Sequence, residues 1–171
     1  MLIGPVAPED RALLTQLFSE LSSETRYRRF FAAIREIDEA RLAWLTELDH
    51  HDREALVAVE SVSGAGAGVA RYVRIGDEVA EPAVVVADRW QRLGLGSALL
   101  ERLTARALEE GITRFRGLVL AENRDAISLF LHLGSPIPQA HGRELEIEIV
   151  LSEPDGLAVR LREFLQAVDA S

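Results

Sequence analysis

The stretch Val84-Val85-Val86-Ala87-Asp88-Arg89-Trp90-Gln91-Arg92-Leu93-Gly94-Leu95-Gly96-Ser97-Ala98-Leu99-Leu100 constrains the fold more than any other part of the chain. Its three consecutive valines read as a strand, Gly94 and Gly96 as a turn, and Leu99, Leu100, Leu103 and Leu108 as the apolar stripe of a helix. A strand, a loop and a helix N-terminus in that order make an anion site. The first amides of a helix have no partner within it, and the aligned peptide dipoles place partial positive charge there. Glycines without a β-carbon let the backbone approach a bulky anion. Arg89 and Arg92 would add counter-charge, and residues 89–116 carry six arginines against three glutamates, a local +3 in a chain of net charge −9. Two competing phosphate motifs are excluded. A P-loop closes with Gly-Lys-Ser/Thr and this chain has no lysine, while a dinucleotide fingerprint needs a small residue where Leu99 stands.

All 19 basic side chains are arginine, and there is no cysteine. That removes disulfides, thiolate nucleophiles and cysteine-based zinc sites from consideration. Acidic residues number 28, a balance that speaks against nucleic acid as a partner. Apolar runs such as residues 83–87 fall far short of the roughly 20 residues of a membrane-spanning helix, so no membrane partner is expected. Pro5, Pro8, Glu9 and Asp10 stand where a signal peptide would be basic and then apolar, which makes the cytoplasm the expected location. A length of 171 residues suits one main domain, residues 1–151. Residues 152–171 form an expected amphipathic extension carrying Leu157, Leu161, Phe164, Leu165 and Val168, which would pack on the sheet or join two copies, so monomer and homodimer both stay open.

A strand at residues 2–6 precedes three helices. The first carries Leu13, Leu14, Leu17, Phe18 and Leu21; the second, capped near Ser22, carries Tyr27, Phe30, Phe31 and Ile34; the third, capped by Asp38, carries Leu42, Leu45 and Leu48. Strands follow at residues 55–60, 68–75 and 79–87, then the glycine loop and its helix, a strand at 117–120, and a helix from Asn123.

The segment Gln91-Arg92-Leu93-Gly94-Leu95-Gly96 resembles the Gln/Arg-x-x-Gly-x-Gly/Ala pyrophosphate loop of the GNAT superfamily of N-acetyltransferases. Downstream, Asn123, Ala126, Leu129 and Gly134 match that family's Asn-x-x-Ala-x-x-Leu-Tyr-x-x-x-Gly-Phe segment in register, with Phe130 in place of the tyrosine and Ser135 in place of the last phenylalanine. Residues 21–31, Leu-Ser-Ser-Glu-Thr-Arg-Tyr-Arg-Arg-Phe-Phe, and residues 80–86, Ala-Glu-Pro-Ala-Val-Val-Val, are similar to parts of bacterial protein lysine acetyltransferase domains, with Pro82 replacing an aromatic residue. The resemblance implies an α+β GNAT fold: a mixed, mostly antiparallel sheet flanked by helices, its fourth and fifth strands splayed by a bulge.

It also implies acetyl-CoA as co-substrate; from the residues themselves, no metal is expected. The pantetheine arm would pair with the backbone of Val84, Val85 and Val86. The pyrophosphate would sit on the amides of Gln91, Arg92, Leu93, Gly94, Leu95, Gly96 and Ser97. Asn123 would bond the cofactor or its waters, cap its own helix, or both. An oxyanion forming on the thioester would meet a backbone N–H near Val86.

An acceptor amine is mostly protonated at neutral pH, its reference pKa being about 10.4, so a base is needed. Position in the resembled strand makes Glu81 the candidate, either catalytic through partial burial against apolar neighbours or a solvated strand-end residue. Phe130 cannot donate a proton to the leaving thiolate. His50-His51-Asp52 is not expected to bind metal, because neighbouring histidines point apart, and His132 and His141 read as helix-surface and loop residues. Between Glu36 and Glu54 stand seven acidic residues and two arginines, which either favour a cationic acceptor or form a solvated helix face.

The expected function is acetyl transfer to a primary amine, with protein lysine as the preferred acceptor. The alternatives are a small-amine or antibiotic N-acetyltransferase, and a non-catalytic acyl-CoA-binding module for which Phe130 and Pro82 speak. A lysine-free chain cannot acetylate its own side chains.

Overall fold

The computed structural model describes residues 1–141 and 144–151. The chain forms β1 (Leu2–Pro5), α1 (Arg11–Glu20), α2 (Ser23–Phe30), α3 (Glu39–Thr46), β2 (Arg53–Val59), β3 (Gly66–Gly76), β4 (Val79–Val86), α4 (Leu95–Glu109), β5 (Arg114–Leu120), α5 (Arg124–Leu131), β6 (Gly134–His141) and β7 (Glu144–Leu151). The strands make one seven-stranded sheet in the order β1-β2-β3-β4-β5-β7-β6. Every pairing is antiparallel except β4 with β5, which is parallel. The expected mixed, mostly antiparallel α+β architecture is what the chain adopts.

Alternation along the strands sends residues to two cores. Leu56, Ala58, Ala70, Tyr72 and Ala80 pack on one face against Leu95, Leu99, Leu100, Leu103 and Ala107 of α4. Each fully buried leucine there contributes roughly 1.5–3 kcal/mol of transfer free energy. On the other face, Ala55 and Val57 pack with Leu14 of α1 and Leu42 of α3. Val85 and Ala87 pack beside Leu17, Phe18 and Phe30 on that same side.

The caps set the helix starts. Ser22 Oγ accepts from Thr25 N at 3.2 Å, and Asp38 Oδ1 accepts from Arg41 N at 2.7 Å. The second helix is shorter than its apolar spacing suggests. It ends at Phe30, and Phe31 turns left-handed at φ 53°, which takes Ile34 off the helix. Leu48 likewise lies beyond the end of α3. Residues 152–171, with the expected amphipathic extension, lie outside the described residues. Among the described residues, no helix is long and apolar enough to cross a membrane.

Candidate active site

The site begins where β4 and β5 part. Their ladder holds only Val79↔Arg114 and Ala80↔Phe115. Glu78 O accepts from Thr113 N and Arg114 N at 2.9 and 3.0 Å on the β5 side, whereas Ala87 N donates to Ala67 O at 2.8 Å on the β3 side. Peptide groups alternate along a strand, so Ala80, Pro82, Val84 and Val86 turn their backbone groups toward β5. Pro82 is buried there and has no N–H to give. Val84 and Val86 therefore face the gap without a ladder partner in β5. The splay is present, but no bulge in β4 makes it: from Gly68↔Val86 to Arg74↔Ala80 the β3–β4 register runs unbroken, and its one irregularity lies between Arg74 and Gly76.

A cavity of about 380 Å³ fills this gap and continues to the glycine loop. Val84, Val85, Val86, Gln91, Arg92, Gly94, Gly96 and Ser97 all line it; Leu93 and Leu95 do not. Leu95 is buried in the core instead, and Leu93 is exposed on the outside of the loop. Gly94 sits at φ 84° as the N-cap of α4 and supplies no side-chain cap, so the first-turn amides of a 15-residue helix are open toward the cavity. Arg92 also holds a positive φ, 61°. Gln91 plays another part than the one expected. Its backbone N–H donates to Asp88 O at 3.3 Å, and its carboxamide donates to Val86 O at 3.0 Å and to Thr25 Oγ1 at 3.2 Å. Its donors shape the wall and are not free for a phosphate.

The opposite wall is α5. Asn123 Oδ1 caps this helix by accepting from Ala126 N at 3.2 Å, and its amide nitrogen has no partner among the described residues. Phe130 is buried in the wall, with Ser128 and His132 beside it, and His132 Nδ1 lies 2.5 Å from Ser128 O. A β-carbon on Gly96 would stand 3.2 Å from Leu129 Cδ1, so the glycine lets α5 lie against the loop.

The far end of the cavity is lined by Glu81, Arg28, Arg29, Phe31 and Leu118. Glu81 is exposed, in line with a solvated strand-end residue and without the partial burial against apolar neighbours that the catalytic alternative called for. Its charge acts on two guanidiniums, Arg29 and Arg71. Arg71 is 4% exposed, stacks 3.8 Å from the Trp44 ring centroid, and has no hydrogen-bond partner for Nη1 or Nη2. Burial, with Arg29 and Arg53 nearby, pulls Arg71 down to about 10, leaving it cationic at neutral pH.

A sequence model of the Acetyltransferase (GNAT) family matches residues 13–134. The chain belongs to the GNAT acetyltransferase family. It is 36% identical over 135 residues to "Acetyltransferase Pat" of Mycolicibacterium smegmatis, covering 78% of this chain and 40% of that one. The chain thus spans two-fifths of that relative's length. It is 34% identical over 137 residues to "Acetyltransferase PA5475" of Pseudomonas aeruginosa, covering 78% of this chain and 74% of that one. Among solved structures, the GNAT domain of S. lividans PAT superposes with a TM-score of 0.80 at 31% identity, covering 87% of this chain and 89% of that one. YncA of Salmonella typhimurium, an acetyltransferase solved with its cofactor acetyl-CoA, gives a TM-score of 0.66 at 27% identity, with coverage of 89% and 94%.

Several sequence expectations change in this GNAT setting. Of the six arginines in residues 89–116, only Arg92 lines the cavity. Arg89 pairs with Glu20 at 3.5 Å, Arg102 donates to Ile3 O, Arg106 meets Glu54 and Glu109, and Arg114 and Arg116 grip Glu148. The acidic run from Glu36 to Glu54 does not line the cavity. Glu39 and Glu47 bind Arg11, Asp52 binds Arg74, and the buried Glu54 holds His50 at 2.8 Å and Arg106 at 3.3 Å. Among the described residues, no group of three or more His, Asp or Glu side chains could hold a metal ion. The sequence reading missed Arg29 and Arg71. The one available signal was the Arg26-Tyr27-Arg28-Arg29 run.

Proposed function

We propose that this chain transfers an acetyl group from acetyl-CoA to the primary amine of a protein lysine, by direct attack of the amine on the thioester. The observation that carries the reading is one cavity joining three elements: the open backbone edge of Val84 and Val86, the uncapped N-terminus of α4, and the Glu81 carboxylate. The similarity of residues 21–31 and 80–86 to bacterial protein lysine acetyltransferase domains supports a protein acceptor.

Acetyl-CoA supplies an activated carbonyl and a thiolate leaving group. The chain's residues supply the rest. Arg92 and the amides of Gly94, Gly96 and Ser97 would hold the pyrophosphate. Val84 would extend its peptide groups to the pantetheine amides as a strand would, and the Val86 N–H would donate to the carbonyl oxygen as negative charge builds on it. Asn123 would turn its free amide nitrogen toward the cofactor. Glu81 would accept the amine proton, directly or through water, since its exposure leaves room for one. Phe130 donates no proton, and the CoA sulfur would leave as a thiolate, whose conjugate acid has a reference pKa of about 8.5, without needing one.

Two measurements test this. Calorimetric titration with acetyl-CoA must show binding; its absence overturns the proposal. Glu81→Gln must cut thiol release by about 10²-fold or more while sparing acetyl-CoA affinity, and unchanged turnover removes Glu81 from the chemistry.

A further inference from the structure

The far end of the cavity carries more positive charge than an acceptor that is itself only a cation would tolerate. Arg28 is committed to Glu24 at 2.5 Å. Arg29 lines the cavity, packs its guanidinium on the Phe30 ring at 4.8 Å, and forms no hydrogen bond or ion pair among the described residues. Arg71 does not line the cavity, but Arg29 acts on its charge; it is buried, stacked on Trp44 and unpartnered at both terminal nitrogens. Burying a guanidinium without a partner is costly, and a fold retains one where something else supplies the missing charge. Among the described residues, Glu81 is the only acidic side chain lining this end. When it takes up a proton its charge is lost, and the two guanidiniums have no anion left.

We propose that the acceptor brings a carboxylate alongside its amine, which binds Arg29, with the charge of Arg71 reinforcing it. This rests on the acetyl-transfer reading above and narrows its acceptor class. The carboxylate comes either from a free amino acid or from an acidic residue next to the target lysine. In both cases the recognising chemistry is the same, a charge-assisted hydrogen bond from a planar guanidinium that a lone cationic amine cannot form. Trp44, 47% exposed, covers the Arg71 guanidinium at 3.8 Å.

The test compares acceptors that differ only in the carboxylate. Free lysine is set against 1,5-diaminopentane, and a blocked glutamyl-lysyl peptide against its glutaminyl counterpart, with kcat/KM followed by thiol release from acetyl-CoA. The carboxylate-bearing member is expected to lead by about tenfold or more in one pair. The pair that shows the preference identifies the source. In Arg29→Gln the ratio is expected to fall toward one. A ratio at or below one in both pairs for the wild-type protein overturns the proposal while leaving acetyl transfer standing. Should no acceptor release thiol, acetyl transfer to these amines fails separately. The carboxylate proposal is then decided by Trp44 fluorescence in a Trp90→Phe background, titrated with the acetylated product of each acceptor in the presence of CoA. Tighter binding of the carboxylate-bearing products supports it, and equal binding overturns it.

Discussion

The carboxamide nitrogen of Gln91 lies 3.0 Å from the carbonyl oxygen of Val86. The same nitrogen lies 3.2 Å from Thr25 Oγ1, so one side chain ties the last residue of β4 to α2 across the mouth of the cavity. Gln91→Ala releases both and leaves the Val86 carbonyl free to rotate. We expect acetyl-CoA affinity to fall about tenfold by calorimetry, with the far-ultraviolet circular dichroism unchanged.

Two glycines near this junction fail for different reasons. A β-carbon at Gly68 would stand 2.9 Å from the Val85 backbone oxygen, so Gly68→Ala must push β3 from β4 and cost about 1–3 kcal/mol. Gly94 has open space but a φ of +84°, so Gly94→Ala pays only for conformation, roughly 1–2 kcal/mol. Thermal melts should show Gly68→Ala falling further, while Gly94→Ala shows the larger loss of acetyl-CoA affinity, because it disturbs the loop that faces the pyrophosphate.

Asp88 anchors the start of α2. Its carboxylate accepts from Ser22 N at 3.0 Å, Ser22 Oγ at 2.7 Å and Thr25 Oγ1 at 3.0 Å. Desolvation raises its pKa, but these hydrogen bonds outweigh it and hold the carboxyl below its ordinary value. A carboxyl lowered on folding stabilises above its unfolded pKa, about 3.9, and that contribution is lost as pH falls through the lower folded value. Asp88→Asn should therefore melt earlier than wild type at pH 7, and the difference should shrink as pH drops below about 4.

Arg71 sets stability against specificity. Replacing a buried, unpartnered cation with an apolar side chain of similar volume is often neutral or stabilising. We expect Arg71→Met to raise the melting temperature by about 2–4 °C. The same variant should lose discrimination between carboxylate-bearing and carboxylate-free acceptors.

The half of the cavity built by β4, the glycine loop and the start of α5 was legible because its signals are local. Val84–Val86, Gly94, Gly96 and Asn123 each declare a backbone conformation or a cap within a few residues of sequence. The surroundings of Arg29 and Arg71 were not, because the two lie on different elements, α2 and β3, brought together only by folding. An arginine in an amphipathic pattern looks the same whether water or a tryptophan ring covers it. The acidic run misled for the converse reason, since its partners Arg11, Arg74 and Arg106 are far away in sequence. The last two strands went unread as well. Pro136 and Pro138 obscure β6, yet β6 is the edge of the sheet, where a residue without an N–H is tolerated. That Phe130 cannot serve as an acid is legible in the sequence alone, because no neighbour can turn a phenyl ring into one.

The parting of β4 and β5 has a consequence for how long the protein lasts. A sheet that stops pairing after Ala80 and Phe115 leaves hydrogen-bonding capacity unused at its centre, where a closed sheet would hold its strands together. A ligand that completes that ladder binds the folded chain and not the unfolded one, so occupancy adds directly to resistance against heat and proteolysis. The abundance of this protein in a cell would then rise and fall with the supply of the ligand that fills the gap.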